Sequence, residues 1–223
     1  ANPADPVFRS VHGLVADLFH VSVEAASLVE IALGQTAQHI VATQSPELAN
    51  FLHTQSNRLG GRVGFAWLNA NKSSRLTGEE FPLSDLDGYP GVLGRADRFV
   101  ETEARFLPLV ERLLGRTWFV EKLTQALEFS RSIGQECSFV TLSGEWLEPD
   151  GTLTVGPRDA GSGLISRRSE LRALRSQLSQ WQAAIDEART NLQGLNEKVV
   201  VGREQQQRQN EEHRRISEAL AEN

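Results

Sequence analysis

The residues best suited to chemistry lie where a glycine-rich loop meets a long charged segment. Five arginines cluster there: Arg158, Arg167, Arg168, Arg172 and Arg175. If the charged segment is a helix, positions 168, 172 and 175 fall on neighbouring turns of one face. Guanidinium groups in that arrangement can bind phosphate oxygens, which predicts weak, salt-dependent contact with DNA of any sequence. The alternative is a solvated helix face, on which Glu170 offsets part of the charge.

Glycines form a second candidate site, and they flank apolar segments in the second half of the chain. The set is Gly91, Gly94, Gly156, Gly161 and Gly163, with Val155 beside the third of them. A residue without a Cβ lets two backbones approach closely, which a contact between two molecules through exposed strand edges requires. Ordinary turns are the alternative explanation for the same glycines.

The sequence offers no group of residues that favours an enzyme. Residues 60–64 and 88–94 are glycine-rich but lack the Gly-Lys-Ser/Thr ending of a phosphate-binding loop. The five histidines are scattered, and Cys137 is the single cysteine, so neither a metal site nor a disulfide is expected. We therefore expect no catalytic residue, no metal and no cofactor, and we expect Cys137 to be a buried, unreactive thiol.

Composition and charge exclude further classes of protein. The 223 residues have a net charge of −6; residues 1–165 carry 13 basic and 20 acidic side chains, and residues 166–223 carry 10 and 9. A generally basic, nucleic-acid-binding surface is thus absent, and DNA contact requires a local patch. No membrane-spanning segment or signal peptide is apparent, so we expect a cytoplasmic location. The lack of any methionine favours a fragment of a longer chain.

Apolar spacing predicts a mixed order of helices and strands before residue 166. Helices are predicted over 13–19, 24–33, 46–59, 106–114 and 121–133. Strands are predicted over 39–43, 62–68, 117–120, 139–142, 145–147 and 152–155. The strand, helix and strand over 117–142 indicate a βαβ unit. Asp150-Gly151 indicates a hairpin between the last two strands.

From Ser166 onwards apolar residues recur in steps of three and four. The predicted seam consists of Leu171, Leu174, Leu178, Trp181, Ile185, Ala188, Leu192, Leu195 and Val199. Four such heptads predict a left-handed coiled coil of roughly 85 Å at ~1.5 Å per residue. Gly202, Gln206, Gln209 and His213 continue the seam, so its distal part is expected to pair weakly. The seam requires a partner helix, and prolines at positions 3 and 6 prevent the start of the chain from supplying one.

Several of these segments resemble, in order, the hinge domain of structural maintenance of chromosomes (SMC) proteins. They are HGLVADLFHV, EIALGQTAQHIVA, LLGRTWFVEKLTQALEFSR, the hairpin VTLSGE…DG…VGP and LISRRSELRALRSQL. The resemblance covers residues 8–175. One departure is Val155, which stands where the family usually has the first glycine of a Thr-Gly-Gly motif.

The resemblance implies a dimerisation module in which edge strands of two copies pair around glycine-rich turns. It implies a homodimer, a partner arm that precedes the hinge in the full-length chain, and a nucleoid-associated role in chromosome condensation and segregation. ATP and Mg²⁺ would bind at head domains that this chain lacks. The alternative hypothesis is a ligand-binding or signalling α/β domain with an output coiled coil.

The predicted fold class is an α/β (α+β) hinge of two small mixed subdomains followed by a long α-helical coiled-coil arm. The predicted domains are an extended or disordered lead-in over 1–7, subdomain I over 8–70, a linker over 71–90, subdomain II over 91–165 and the arm over 166–223.

Overall fold

The structure is a computed structural model that describes residues 6–55, 61–69, 85–156 and 163–221. The chain divides into two compact units, Ala1–Arg172 and Ala173–Asn223. The first unit contains three β-sheets and the helices around them, and the second is formed by the continuation of one long helix.

The described strands are short. Their bounds are Val11–Leu14 (β1), His20–Val21 (β2), Ile40–Ala42 (β3), Phe65–Trp67 (β4), Val92–Arg95 (β5), Val100–Glu101 (β6), Thr117–Val120 (β7), Ser138–Thr141 (β8), Trp146–Leu147 (β9) and Leu153–Thr154 (β10). The α-helices are Val15–Leu18 (α1), Val23–Leu33 (α2), Pro46–Gln55 (α3), Leu107–Leu114 (α4), Leu123–Arg131 (α5) and Leu164–Ala221 (α6). Short 3₁₀ helices lie at Pro6–Ser10, Gly34–Gln38, Ala96–Phe99 and Ala104–Phe106.

The first half of the globule is built on a three-stranded sheet in the order β1-β3-β4. β1 is antiparallel to β3, and β4 is parallel to β3. α3 makes the crossover between the parallel strands, and it begins where the sequence predicts. The hydroxyl of Ser45 accepts a hydrogen bond from the backbone N–H of Leu48 at 3.2 Å, which caps the helix.

The second half is built on a five-stranded sheet in the order β10-β9-β8-β7-β5. β7 and β8 are parallel and joined by α5, which confirms the predicted βαβ unit. The β9–β10 hairpin is also confirmed, with Gly151 in its turn at a φ of 87°. A third sheet is the antiparallel pair of β2 and β6, which joins residues from the two halves.

Both faces of the β7–β8 pair are buried, and this explains why their sequences are apolar without alternation. Phe119 and Val140 point into one core, which they share with Val29 of α2 and with α4. Trp118 and Phe139 point into a second core, which α5 closes with Phe129. Successive strand residues face opposite sides, so one sheet serves two cores.

Three expectations differ from the structure. The helix predicted over 13–19 is wrong in its first part, because Gly13 and Leu14 belong to β1 and the helix is the short α1. Gly13 has a φ of 139°, a positive value that glycine adopts without a steric cost and that residues with a Cβ rarely adopt. β2, β5 and β6 were not expected. Leu86, within the predicted polar linker, is fully buried in the second core.

Cys137 is the cysteine that the sequence predicts to be unreactive, and it is 2% exposed. Burial raises the pKa of its thiol, and a contact with Trp118 and the charge of Arg116 oppose this effect in part. The thiolate is the reactive form, so both the burial and the raised pKa slow attack on electrophiles.

We expect the Cys137 thiol to react with a disulfide reagent such as DTNB much more slowly in the native chain than in denaturant. Because it is the single cysteine, the absorbance reports this side chain alone. Fast native labelling, equal to that in denaturant, would contradict the burial of Cys137 in the second core.

Candidate interface at the arm base and the sheet edges

The first nine residues of α6 and the glycine before them pack on the globule; we call residues 163–172 the arm base. The side chain of Ile165 is 1% exposed and lies in the first core. The hydroxyl of Ser169 donates a hydrogen bond to the backbone carbonyl of Val21 at 2.8 Å, and this serine is also buried. These contacts make the arm base a part of the globule.

A carboxylate from another helix caps the start of α6. Glu30 of α2 accepts hydrogen bonds from the backbone N–H groups of Ile165 and Ser166, each at 3.3 Å. It also accepts one from the hydroxyl of Ser166 at 2.8 Å. These N–H groups have no partner within their own helix, and a negative charge near a helix N-terminus is favourable. The sequence gives no signal for this contact, because the partners are 135 and 136 residues apart.

Two of the predicted DNA-binding arginines have partners on the globule. Arg168 forms an ion pair with Asp17 of α1. The guanidinium of Arg172 donates a hydrogen bond to Nδ1 of His20 at 3.0 Å. All four side chains remain partly or fully exposed. Exposed ion pairs of this type contribute about 0–1 kcal/mol, so solvent ions can compete for these arginines.

The remaining arginines of the cluster are placed differently. Arg167 is exposed and takes part in a further interaction within the chain. Arg175 is exposed and lies in the second unit. Arg158 lies outside the described residues, as does Gly161 of the glycine set. DNA binding by the cluster stays a prediction.

The sheets of the globule end in strands that lack a neighbour on one side among the described residues. β10 and β5 are the edges of the five-stranded sheet, and β1 and β4 are those of the three-stranded sheet. Next to β10, Val155 is 62% exposed and Gly156 has open space around it. The hairpin turn before β10 is held by Asp150, which accepts from the N–H of Thr152 at 2.8 Å, and this bond lowers the pKa of Asp150.

Apolar side chains line the edge strand β4 as well. The rings of Phe65 and Trp67 are stacked, with centroids 5.6 Å apart and an interplanar angle of 15°, and both residues are half-buried. Arg112 of α4 donates a hydrogen bond to the backbone carbonyl of Trp67. Sequence reasoning did not single out this pair, although the alternation Phe-Ala-Trp places both rings on the same side of a strand.

The predicted interface glycines separate into two groups. Gly91 and Gly94 have φ values of 81° and 139°, and a side chain on either would contact Gln125 or Phe99 of the same chain. At Gly163 an added Cβ would overlap the carboxylate of Glu30. The contacts within the chain thus explain why these three positions are glycine. At Gly156 an added Cβ would meet no atom of the described residues, and its role at an interface stays a prediction.

The predicted coiled-coil seam is exposed on the single chain. Leu171 lies in the first unit, and the other seam residues lie in the second. The large side chains among them are 47–69% exposed: Leu171, Leu174, Leu178, Trp181, Ile185, Leu192, Leu195 and Val199. Ala188 is exposed too. Burying one such side chain contributes about 1.5–3 kcal/mol, so the stripe has a strong tendency to pair with another helix.

Two other kinds of site are absent from the described residues. No three histidine, cysteine, aspartate or glutamate residues in these ranges lie close enough together to hold a metal ion. None of the described helices is both long and apolar enough to cross a membrane.

Fold and site together define a class of protein: a mixed α/β domain followed by a long α-helix with an exposed apolar stripe. A family model described as the SMC proteins Flexible Hinge Domain matches residues 8–130. The chain belongs to the SMC hinge domain family, as the sequence resemblance indicated, and the mixed α/β fold with a long C-terminal helix is confirmed.

Relatives agree with this assignment. The chain is 35% identical over 203 residues to the chromosome partition protein Smc of Rhodopirellula baltica, covering 89% of this chain and 17% of that protein. It is 28% identical over 201 residues to the Smc protein of Lactiplantibacillus plantarum, covering 87% and 16%. The chain thus spans about a sixth of the length of these curated relatives. The part that it spans is the hinge and not the ATPase head.

Among solved structures, an asymmetric dimer of the Geobacillus stearothermophilus SMC hinge domain superimposes with a TM-score of 0.67. The two chains are 27% identical, and the match covers 80% of this chain and 71% of that one. Membership of the hinge family favours the first hypothesis over a signalling domain with an output coiled coil.

The two groups of glycines respond differently to alanine. We expect Gly91→Ala to destabilise the fold by about 1–2 kcal/mol, because a left-handed backbone with a Cβ is strained and Gln125 occupies the space. Gly156→Ala is expected to change stability by no more than about 0.5 kcal/mol. Urea unfolding followed by circular dichroism, at matched protein concentrations, measures both. Equal losses in the two variants would contradict this separation of fold and surface glycines.

Proposed function

We propose that this chain is a homodimerisation module that joins two SMC chains through the edges of their sheets. The observation that carries the proposal is the β10 edge, where Val155 and Gly156 are exposed beside a strand that has no neighbour on one side among the described residues. Such edges invite pairing with another chain, and a closed dimer uses them without leaving an open end.

The three-stranded sheet offers a complementary edge at β4, where Phe65 and Trp67 present a half-buried apolar surface. If β10 of each copy pairs with β4 of the other, a two-fold axis makes the contact twice and closes a ring. The solved dimer of the Geobacillus stearothermophilus hinge supports hinge-mediated association. Val155 gives this edge more side-chain bulk than the glycine usual in the family, and in the dimer that side chain would be buried.

In the full-length protein, this module would connect two arms so that the arms, the ATPase heads and accessory subunits enclose DNA. The seam of α6 would pair with the arm that precedes the hinge in the same chain. The role is organisational, in chromosome condensation and segregation at the nucleoid in the cytoplasm. The hinge itself performs no catalysis and holds no cofactor, and ATP and Mg²⁺ act at the heads.

A secondary function is weak, non-specific binding of DNA by arginines of the arm base. The exposure of Arg167, Arg168 and Arg172 supports it, and so does the low strength of the Arg168–Asp17 pair. The acidic charge of residues 1–165 limits the affinity.

The dimer is tested by light scattering across a dilution series of the whole chain and of a shorter chain ending at Arg175. We expect both to have twice their monomer mass, which for the whole chain is twice 24.7 kDa. If the short chain is a monomer and the long chain associates, the seam of α6 is responsible, and the proposal fails.

Two substitutions test the β10 edge directly. Val155→Glu and Gly156→Glu are each expected to yield monomers with unchanged circular dichroism, because a charge would be buried at the contact. The matched control is Ile133→Glu, since Ile133 is an exposed apolar residue in the connection between α5 and β8, and β8 is not an edge strand. If both edge variants stay dimeric at the lowest concentration tested, the contact lies elsewhere.

DNA binding is tested by fluorescence anisotropy with labelled single-stranded and duplex oligonucleotides. Asp17→Asn is expected to tighten binding by about two- to fivefold, because Arg168 loses a competing carboxylate. Arg168→Ala is expected to weaken binding and to lower the dependence of log K on log salt by about one.

The control for Asp17→Asn is Glu24→Gln, which changes the net charge equally at another exposed position. If both variants tighten binding to the same extent, only the net charge matters and the arm base is not the binding surface.

A further inference from the structure

We propose that Glu30 is the residue that starts the arm helix and holds the arm base on the globule. Its carboxylate accepts from the N–H groups of Ile165 and Ser166 and from the hydroxyl of Ser166. These two N–H groups are at the positions that an N-cap side chain ordinarily satisfies. The residue in the N-cap position is Gly163, which has no side chain. Glu30 therefore supplies from another helix the cap that the local sequence lacks.

The absence of a side chain at Gly163 is itself part of this arrangement. A Cβ built there would overlap both carboxylate oxygens of Glu30, so the carboxylate can approach the helix start because residue 163 is glycine. The φ of Gly163 lies outside the left-handed region, and backbone conformation gives no separate reason for glycine. The cap thus requires both Glu30 and Gly163, although the two residues lie far apart in sequence.

Glu30 lies on a helix that is firmly placed in the globule. α2 buries five residues of one face: Ala25, Ala26, Leu28, Val29 and Leu33. It packs against β8 of the five-stranded sheet and against α4. A carboxylate held by so rigid a helix can fix the first turn of α6 without help from a partner helix. The contact between Glu30 and the start of α6 is independent of the proposed function. Its significance for SMC arms rests on that function.

The other contacts of the arm base have different roles. Ile165, in the first turn, and Ser169, one turn later, attach the arm base by burial and by the bond to Val21, and Arg168 and Arg172 add exposed contacts. Among the described residues, Glu30 is the side chain that reaches the free N–H groups at the helix start. Its loss is therefore expected to loosen the first turn of α6 before the turn that contains Ser169.

The test is hydrogen exchange of the whole chain, measured by NMR or by mass spectrometry of short peptides. Glu30→Ala is expected to speed exchange of the amides of residues 165–168 by about fivefold, since loss of a cap costs about 1 kcal/mol. Exchange in β7 and β8 is expected to stay unchanged. Glu30→Gln keeps an acceptor oxygen without the charge and is expected to recover part of the protection.

Two comparisons make the result specific to the cap. Glu24→Ala, in the exposed first turn of the same helix, is expected to leave residues 165–168 as protected as in the original chain. Gly163→Ala is expected to speed the same amides, because its methyl group displaces the carboxylate. In the double variant, Gly163→Ala is expected to add little to the faster exchange caused by Glu30→Ala, since both substitutions remove the same interaction.

Additive effects of the two substitutions, or unchanged exchange in Glu30→Ala, would overturn the proposal. Faster exchange in β7 and β8 equal to that at the arm base would also overturn it, because it would indicate general destabilisation. Light scattering on the same samples separates this question from the proposed function. If the original chain is a monomer, the proposed dimer is contradicted, but the conclusion from hydrogen exchange is unaffected.

Discussion

The burial of β7 and β8 on both faces is the constraint on which the other features of the globule depend. Because each strand contributes to two cores, one helix must cover each side of the sheet, and α5 and α2 do so. The position of α2 in turn places Glu30 beside the start of α6. The same pairing leaves β5 and β10 at the outside of the sheet. A requirement of the core thus determines both the arm attachment and the surface available for association.

The two candidate functions use different physical interactions. Pairing of sheet edges depends on backbone groups and on apolar side chains such as Val155, Phe65 and Trp67, and it varies little with salt. DNA contact through the arginines depends on charge and weakens steeply as salt rises. The negative charge of the globule opposes DNA contact and has little effect on the pairing of sheet edges. An association that persists at high salt would therefore be a property of the edges and not of the arginines.

Sequence reasoning was most successful where a pattern is local. The βαβ unit, the Asp150-Gly151 hairpin and the capped start of α3 follow from apolar runs and from residues with known turn or cap preferences, and all are present. β5 escaped prediction because its register with β7 shifts at Gly94, where a regular alternation is lost. The partners of Gly163, Arg168 and Arg172 escaped it for another reason. They are contacts between segments far apart in sequence, which no local pattern encodes.

If the arginines bind phosphate as proposed, the arm base can remain attached, because phosphate contact and attachment depend on different side chains. A phosphate that displaced Asp17 from Arg168 would have to replace an exposed pair of about 0–1 kcal/mol. The buried side chain of Ile165, the bond from Ser169 to Val21 and the cap by Glu30 would not be disturbed by that exchange. The arginines can therefore change partners while the helix start stays in place, and DNA contact at this position does not require release of the arm base.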